Sequence, residues 1–186
     1  MFRTTLIVAA TALLAACSGP TNRIDMAQIT SDLQLRALVS SAMVRTVSLP
    51  TYAASEEFAF ETPEGFISSD SAILWADDPE RAVTLLITRN MNGILNATIG
   101  PDPWPFVGLP DVSIEVRVSE MLAGADGIFR LRGQFFVGGD GIDFPNRARS
   151  FDIARPLVGE GLNAVPQAQA AALMELSETI ARSIAR

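Results

Sequence analysis

Two segments of this chain alternate so strictly that few architectures can hold them. Val112, Ile114, Val116 and Val118 interleave with Ser113, Glu115, Arg117 and Ser119. Phe129, Leu131, Phe135 and Val137 are spaced in the same way among Arg130, Arg132 and Gln134. A period of two sends alternate side chains to opposite faces, so each segment is a strand with one buried and one wet face. Gly124-Ala125-Asp126-Gly127 between them has the composition of a hairpin loop. Such a pair is antiparallel and needs cover on its apolar face alone. The outward arginines are expected near Glu115 across the ladder, in pairs contributing about 0.2–1 kcal/mol each. Gly138-Gly139-Asp140-Gly141 is a further turn, and residues 142–154 should hold a third strand centred on Phe151 and Ile153.

Two amphipathic segments can supply the cover. Asp78 is a candidate helix cap, Pro79 suits the first helical position, and Glu80 complements the positive end of the dipole. Val83, Ile87, Met91, Ile94, Leu95 and Thr98 then fall on one face, and Gly100-Pro101 is the expected stop. A second helix is expected over 166–185, with Leu173, Leu176, Ile180 and Ile184 as its stripe. Alanines at 168, 170, 171 and 172 favour helix there, and Glu178 to Arg182 is an i,i+4 pair in the favourable order. Before the first helix, 33–39 and 43–49 read as strands, ended by Pro50. Residues 58–60 and 66–74 read as strands across the Thr62-Pro63-Glu64-Gly65 turn. Strands, a helix, antiparallel strands and a helix make an α+β fold, a two-layer sandwich of a mostly antiparallel sheet with two helices packed on one face.

Composition narrows the chemistry. The chain has no histidine and no lysine, and Cys17 is its single cysteine. There is therefore no Ser-His-Asp triad, no Cys-His pair and no Ser-Lys arrangement. Two adjacent carboxylate pairs remain, Asp77-Asp78 and Glu56-Glu57, and they read as a helix cap and as solvated loop charge. The chain is expected not to be an enzyme and to take no metal or cofactor. Without Arg3 the net charge is −8, which opposes nucleic acid, whose binding is driven by clustered positive charge.

The first residues carry a different signal. Met1-Phe2-Arg3 begins the chain with a positive charge, and an apolar run from Leu6 to Leu14 leads to Leu14-Ala15-Ala16-Cys17. That is a secretory signal peptide, too short for a span of about 20 apolar residues. A cysteine at the cut resembles the bacterial lipobox. The resemblance implies cleavage between Ala16 and Cys17, a diacylglycerol on the thiol and an acyl group such as palmitate on the new amino end. Ser18 is permissive for sorting to the outer membrane. Residues 1–16 are then signal peptide, 17–25 a lipidated tether rich in turn residues, and 26–186 one domain.

Gly100 to Pro110 is proline-rich and holds Trp104, Pro105, Phe106 and Val107 together. The cluster reads first as a plug over one end of the core. If the domain docks a partner, Trp104 and Phe106, with Trp75, are the candidate contacts, since tryptophan is favoured at interface hot spots.

Several stretches carry a wider resemblance. Leu49-Pro50 with Tyr52 ends the first strong strand. Leu74-Trp75-Ala76-Asp77-Asp78-Pro79 leads into the helix that contains Leu86-Ile87-Thr88-Arg89. A hairpin with Gly127 and an Ala-rich helix running to Ile180 and Ile184 follow. With the lipobox, the chain from about Met43 onward resembles the ABC-type transport auxiliary lipoproteins, the PqiC/YmbA family. It departs from the family in having no tyrosine between Arg23 and Leu38, where a tyrosine-rich strand is common. The resemblance implies a lipoprotein of an MCE-type system, in which an MCE-domain protein bridges the periplasm and lipid moves between inner and outer membranes. Its partners would be that MCE protein and its ABC transporter, with a homo-oligomer compatible. It would be anchored to the outer membrane, face the periplasm and hydrolyse no ATP. A second reading is an outer-membrane biogenesis factor that helps assemble a barrel protein or a lipopolysaccharide translocon.

Overall fold

The computed structural model describes residues 21–159, 161 and 163–186. Cys17 and Ser18, with their expected lipid and sorting roles, lie outside the described residues.

The alternating hairpin forms the spine. Strands β6 (Val112–Ala123) and β7 (Ile128–Gly139) pair antiparallel along their length, and β8 (Arg147–Pro156) pairs antiparallel with β7. Val112, Ile114, Val116, Leu131 and Phe135 are fully buried on one face. The period slips at a bulge between Val118 and Glu120, which brings Met121 and Ala123 inward. An extra residue at that point restores alternation in the opposite phase. Gly127 closes the loop with φ of 78°, where a side chain would be strained. Across the ladder, Arg132 bonds Glu120 at 2.8 Å and Asp152 at 2.9 Å. Glu115 does not receive the cross-strand arginine expected for it; Arg117, two residues along its own strand, bonds it at 2.6 Å.

The other edge of β6 is shared. Its first residues pair parallel with β2 (Ser41–Val44), which pairs parallel with β5 (Thr98–Pro101). Its last residue meets β3 (Glu57–Glu61), which forms an antiparallel hairpin with β4 (Ile67–Trp75). Thr62–Gly65 makes the expected turn, with Gly65 at φ 83° and its N–H donating to Thr62 O at 2.8 Å. The strand β1 (Asn22–Ile24) lies parallel on β4, with Asn22 opposite Ile73. The eight described strands thus form one mixed sheet whose long ladders are antiparallel.

Three helices complete the described residues: α1 (Thr51–Ala54), α2 (Pro79–Ile94) and α3 (Ala164–Ser183). The two long ones pack on the apolar face of the sheet and on each other. Val83, Ile87 and Met91 from α2 and Leu173, Leu176 and Ile180 from α3 are fully buried. Where the helices touch, Asn90 donates to Ser177 Oγ at 3.2 Å, and Ser177 donates to Leu173 O at 2.7 Å. Asp78 caps α2 through the Arg81 N–H at 2.8 Å, with Pro79 in the first position.

Four expectations are corrected. The helix expected to reach Gly100 ends at Ile94, and Thr98 starts β5. Asn92 causes the change: its Oδ1 accepts the Ile99 N–H at 3.1 Å and its Nδ2 donates to Ile99 O at 2.7 Å. An asparagine side chain can stand in for a strand partner, and here it turns the chain back beside β2. The strand expected at 33–39 is reduced to single bridges, Leu35 to Leu95 and Ala37 to Ala185. Of the strand expected at 43–49, Met43 and Val44 belong to β2, and a lone bridge joins Ser48 to Arg117. Asn22–Ile24, read from sequence as tether, is a paired strand.

The tyrosine just past Pro50 has a structural role. Tyr52 accepts the Met121 N–H at 3.2 Å, and burial pushes its phenol above the ordinary value. An acid whose folded pKa is raised holds its proton more tightly when folded. Its contribution is present below the unfolded pKa of about 10 and is lost as pH rises through the folded value. Tyr52→Phe should therefore flatten the loss of stability above about pH 10, measured as melting temperature against pH. An unchanged alkaline slope would show that Tyr52 ionises alike in both states.

Candidate partner-binding surface

The segment between β5 and β6 is built from residues that resist regular structure, with prolines at 101, 103, 105 and 110. It leaves β5 with the Asp102 N–H donating to Val44 O at 2.9 Å. It is pinned again at Asp111, whose Oδ2 accepts the Ser40 N–H at 2.7 Å and the Ser41 N–H at 3.2 Å. Ser41 Oγ in turn accepts the Asp111 N–H at 3.0 Å. The loop is thus held at both feet, and its middle carries the apolar cluster.

Within it the two aromatics divide. Trp104 lies over Gly100, where an added Cβ would stand 2.8 Å from the indole. Only glycine lets the ring approach the β5 backbone this closely. Phe106 meets Trp104 edge-on with ring centroids 5.0 Å apart, a favoured arrangement, yet is 53% exposed. The indole Nε1 of Trp104 is buried and has no acceptor among the described residues. Trp104 is therefore the anchor that seats the loop on β5, and Phe106 faces outward.

Two aliphatic residues that sequence reasoning missed extend the patch. Leu109 is 70% exposed, and Ile142 is exposed beside it. Their loops are joined by the Gly141 N–H, which donates to Pro110 O at 2.7 Å. The only sequence signal for them is an aliphatic residue set between turn formers, Gly108-Leu109-Pro110 and Gly141-Ile142-Asp143. With Phe106 and Val107 they place four exposed apolar side chains on the two loops that rim the end of the sheet where β6 begins. Single exposed apolar residues are ordinary, but a rimmed cluster marks a contact surface.

Trp75 is a correction. It is buried at the end of β4, its ring 5.5 Å from Phe58. Arg23 Nη1 donates to its carbonyl at 2.9 Å. It closes a core cavity of about 20 Å³ with Tyr52, Phe58 and Phe129, so it has no surface to give a partner. A large apolar side chain at the last residue of a strand, just before a capped helix, is in position to seal the layer between them, and that position decides its role here.

Beside the rim, on the face of the sheet opposite the helices, a groove of about 550 Å³ runs past Arg45, Glu115, Phe136, Asp140 and Arg147. The Arg117 guanidinium stands 5.3 Å over the Phe136 ring, and Arg147 stands 5.4 Å over Phe144. The groove offers paired charges and half-covered aromatics, the composition of a polar interface margin.

The ionisable groups fill structural roles. Asp77 pairs with Arg81 and Asp78 caps α2. Glu56 lies 3.9 Å from Arg23, and Glu57 accepts from Ser69. The Arg130 guanidinium holds the Asp126 carboxyl below its usual range. Arg132 donates to the Asp152 and Glu120 carboxylates, and these bonds push its guanidinium pKa above the ordinary value. No group of three or more metal-ligating side chains converges among the described residues. No described helix is long and apolar enough to cross a membrane.

Comparison with known proteins agrees with this architecture. Two crystal structures are similar in fold. One, of an uncharacterized protein, aligns with a TM-score of 0.73 at 18% identity, covering 90% of this chain and all of the other. The second, a Xanthomonas campestris protein of family DUF330, aligns with a TM-score of 0.67 at 14% identity, covering 87% and 94%. Among curated proteins none matches the sequence. A family model describing the ABC-type transport auxiliary lipoprotein component matches residues 27–181, from the chain just after β1 to the last turn of α3. The chain belongs to the family of ABC-type transport auxiliary lipoprotein components.

Proposed function

We propose that this protein is the lipid-anchored, non-catalytic docking subunit of an MCE-type ABC system that moves lipid between the inner and outer membranes. It is held at the outer membrane by acyl chains on Cys17, and it captures the MCE-domain protein through the Phe106–Leu109 rim. The placement of that rim carries the reading. β1 runs parallel to β4, so the chain arrives from the end of the sheet that holds the Thr62–Gly65 turn. The apolar rim lies at the other end, where β6 begins. A domain anchored by its N-terminus therefore holds the rim away from the bilayer, toward a partner that spans the periplasm. The carboxylates support a binding role, since those that sequence singled out are capping or paired.

The test is a mild-detergent pull-down of the lipidated protein from its own membranes, with partners identified by mass spectrometry. An MCE-domain protein or its ABC permease is expected. Phe106→Ser should lower its recovery about tenfold or more, the usual scale for a hot-spot aromatic, and leave melting unchanged because the ring is half exposed. Trp104→Ala should also lower recovery, with some loss of stability because the indole packs on Gly100. Recovery of barrel or barrel-assembly proteins alone would overturn the transport reading in favour of outer-membrane biogenesis.

A further inference from the structure

The end of the sheet opposite the rim carries its own exposed apolar side chains. Phe66 is 70% exposed and Ile67 is 49% exposed, side by side where the β3–β4 turn becomes β4. Val158, just beyond β8, is 77% exposed. These positions belong to one end of the molecule. Glu61 Oε2 accepts the Ala125 N–H at 3.2 Å, joining the β3–β4 turn to the β6–β7 loop. Gly127 O accepts the Leu157 N–H at 2.8 Å, joining that loop to the segment after β8.

The N-terminal chain is directed to the same end. Asn22 is opposite Ile73 in a parallel pair, so the chain before Asn22 leaves toward the start of β4. Cys17 lies five positions before Asn22, about 17 Å when extended. Phe66 lies seven positions before Ile73, about 23 Å of strand. The difference is about 6 Å, the length of a phenylalanine side chain, so acyl chains on Cys17 and the Phe66 ring can reach one plane.

We infer that the β3–β4 tip, through Phe66 and Ile67, rests in the headgroup layer of the bilayer that holds the anchor. This inference depends on the lipid-anchor part of the proposed function and adds a second protein element to it. The aromatic ring suits the interface, where apolar side chains sit about 5–10 Å into the headgroup boundary. The charge around the tip selects the lipid. Glu64 lies in the turn, Glu61 and Asp126 line the recess beside it, and Arg130 and Arg132 of that recess are paired with Asp126 and with Glu120 and Asp152, respectively. The surface it fits is therefore zwitterionic, such as phosphatidylethanolamine, and anionic lipid should repel it.

Phe66→Trp supplies the probe. The full lipidated protein is reconstituted in phosphatidylethanolamine–phosphatidylcholine vesicles with brominated acyl chains, and tryptophan emission is compared with that in unbrominated vesicles. The native tryptophans are built-in references: Trp75 is buried in the core and Trp104 is at the opposite end. The native protein should show little quenching, and Phe66→Trp should lose roughly a quarter more of its emission, consistent with a ring at headgroup depth. Adding anionic lipid should reduce that extra loss. Equal quenching in both proteins, with flotation on the vesicles intact, would overturn the inference and leave the anchor standing. Failure to float would instead remove the anchor on which the inference rests. A blue shift of Phe66→Trp that grows with protein concentration in detergent alone would overturn it too, by making the tip an interface between copies.

Discussion

Replacing Cys17 with alanine should leave the chain uncleaved or released from the outer membrane, with its domain intact. Each buried acyl methylene contributes about 0.8 kcal/mol, and a single chain gives only marginal binding, so stable attachment needs two signals. The Cys17→Ala chain has no thiol to modify, since Cys17 is the single cysteine. Its outer-membrane fraction should fall more than about tenfold, because without acyl chains the domain has too little apolar surface to stay attached. Melting temperature and circular dichroism should be those of the native protein, because the packed core begins with the partly buried Ile24 and Met26. Fractionation after lysis, with the mass of the N-terminal peptide, is the measurement. A variant that still fractionates fully with the outer membrane would show that something other than lipid on Cys17 holds the protein there.

The second large effect is expected at Gly133, in the middle of the sheet. It lies opposite Val118 on one side and Phe151 on the other, next to the bulge in β6. A Cβ at this position would fall inside the carbonyl oxygen of Arg117 and 2.8 Å from the Phe151 ring. The ring occupies the space that a side chain would take, the covering of a strand glycine by a neighbouring aromatic. Gly133→Ala must move either backbone or a buried ring, and should cost about 2–3 kcal/mol. For a domain of this size that lowers the melting temperature by roughly 5–10 °C. Gly138→Ala, on the same strand, is the control. Its Cβ would meet only the Asn146 amide, 3.0 Å away and free to swing aside, and the change should stay within about 0.5 kcal/mol. Equal melting of the two variants would show that the ladder yields at Gly133.

Gly133 also shows what the sequence could and could not reveal. The alternation of Phe129, Leu131, Phe135 and Val137 around it was enough to place β7 and its buried face, because period two is a local property. The stripe of α3 and the Asp78-Pro79 start of α2 were legible for the same reason. The C-terminus of α2 was not. Thr98 continues the helical spacing, and only the paired bonds from Asn92 to Ile99 show that the chain has already turned. Residues 33–39 failed in another way. Their alternation is real, but their partners are Leu95 and Ala185, far along the chain, and periodicity carries no information about distant partners. At the candidate surface, aromatic content pointed to Trp104 and Phe106 correctly as a cluster and to Trp75 wrongly as a contact. Exposure depends on whether a second layer covers a side chain, and Phe58 and Tyr52 cover Trp75.

The pairing of Asn22–Ile24 with β4 bears on how the domain carries load. Under the proposed function, a partner drawn away from the bilayer would pull this protein against its anchor, and the tension would enter the described residues ahead of Asn22. Since β1 lies parallel to β4 and the chain leaves along the strand axis, that tension acts in shear. The ladder bonds must then fail together, whereas a strand peeled from its edge loses them one at a time. The Arg23 bond to the Trp75 carbonyl and the Ala76 bond to the Ile24 carbonyl, each 2.9 Å, lie in the same line of force. Behind them Met26, Ile29 and Leu33 pack on the core. Resistance to such pulling is set by the unfolding rate, not by equilibrium stability. The short edge strand would thus act as a mechanical clamp, letting the domain bear a pull on its N-terminus without unravelling.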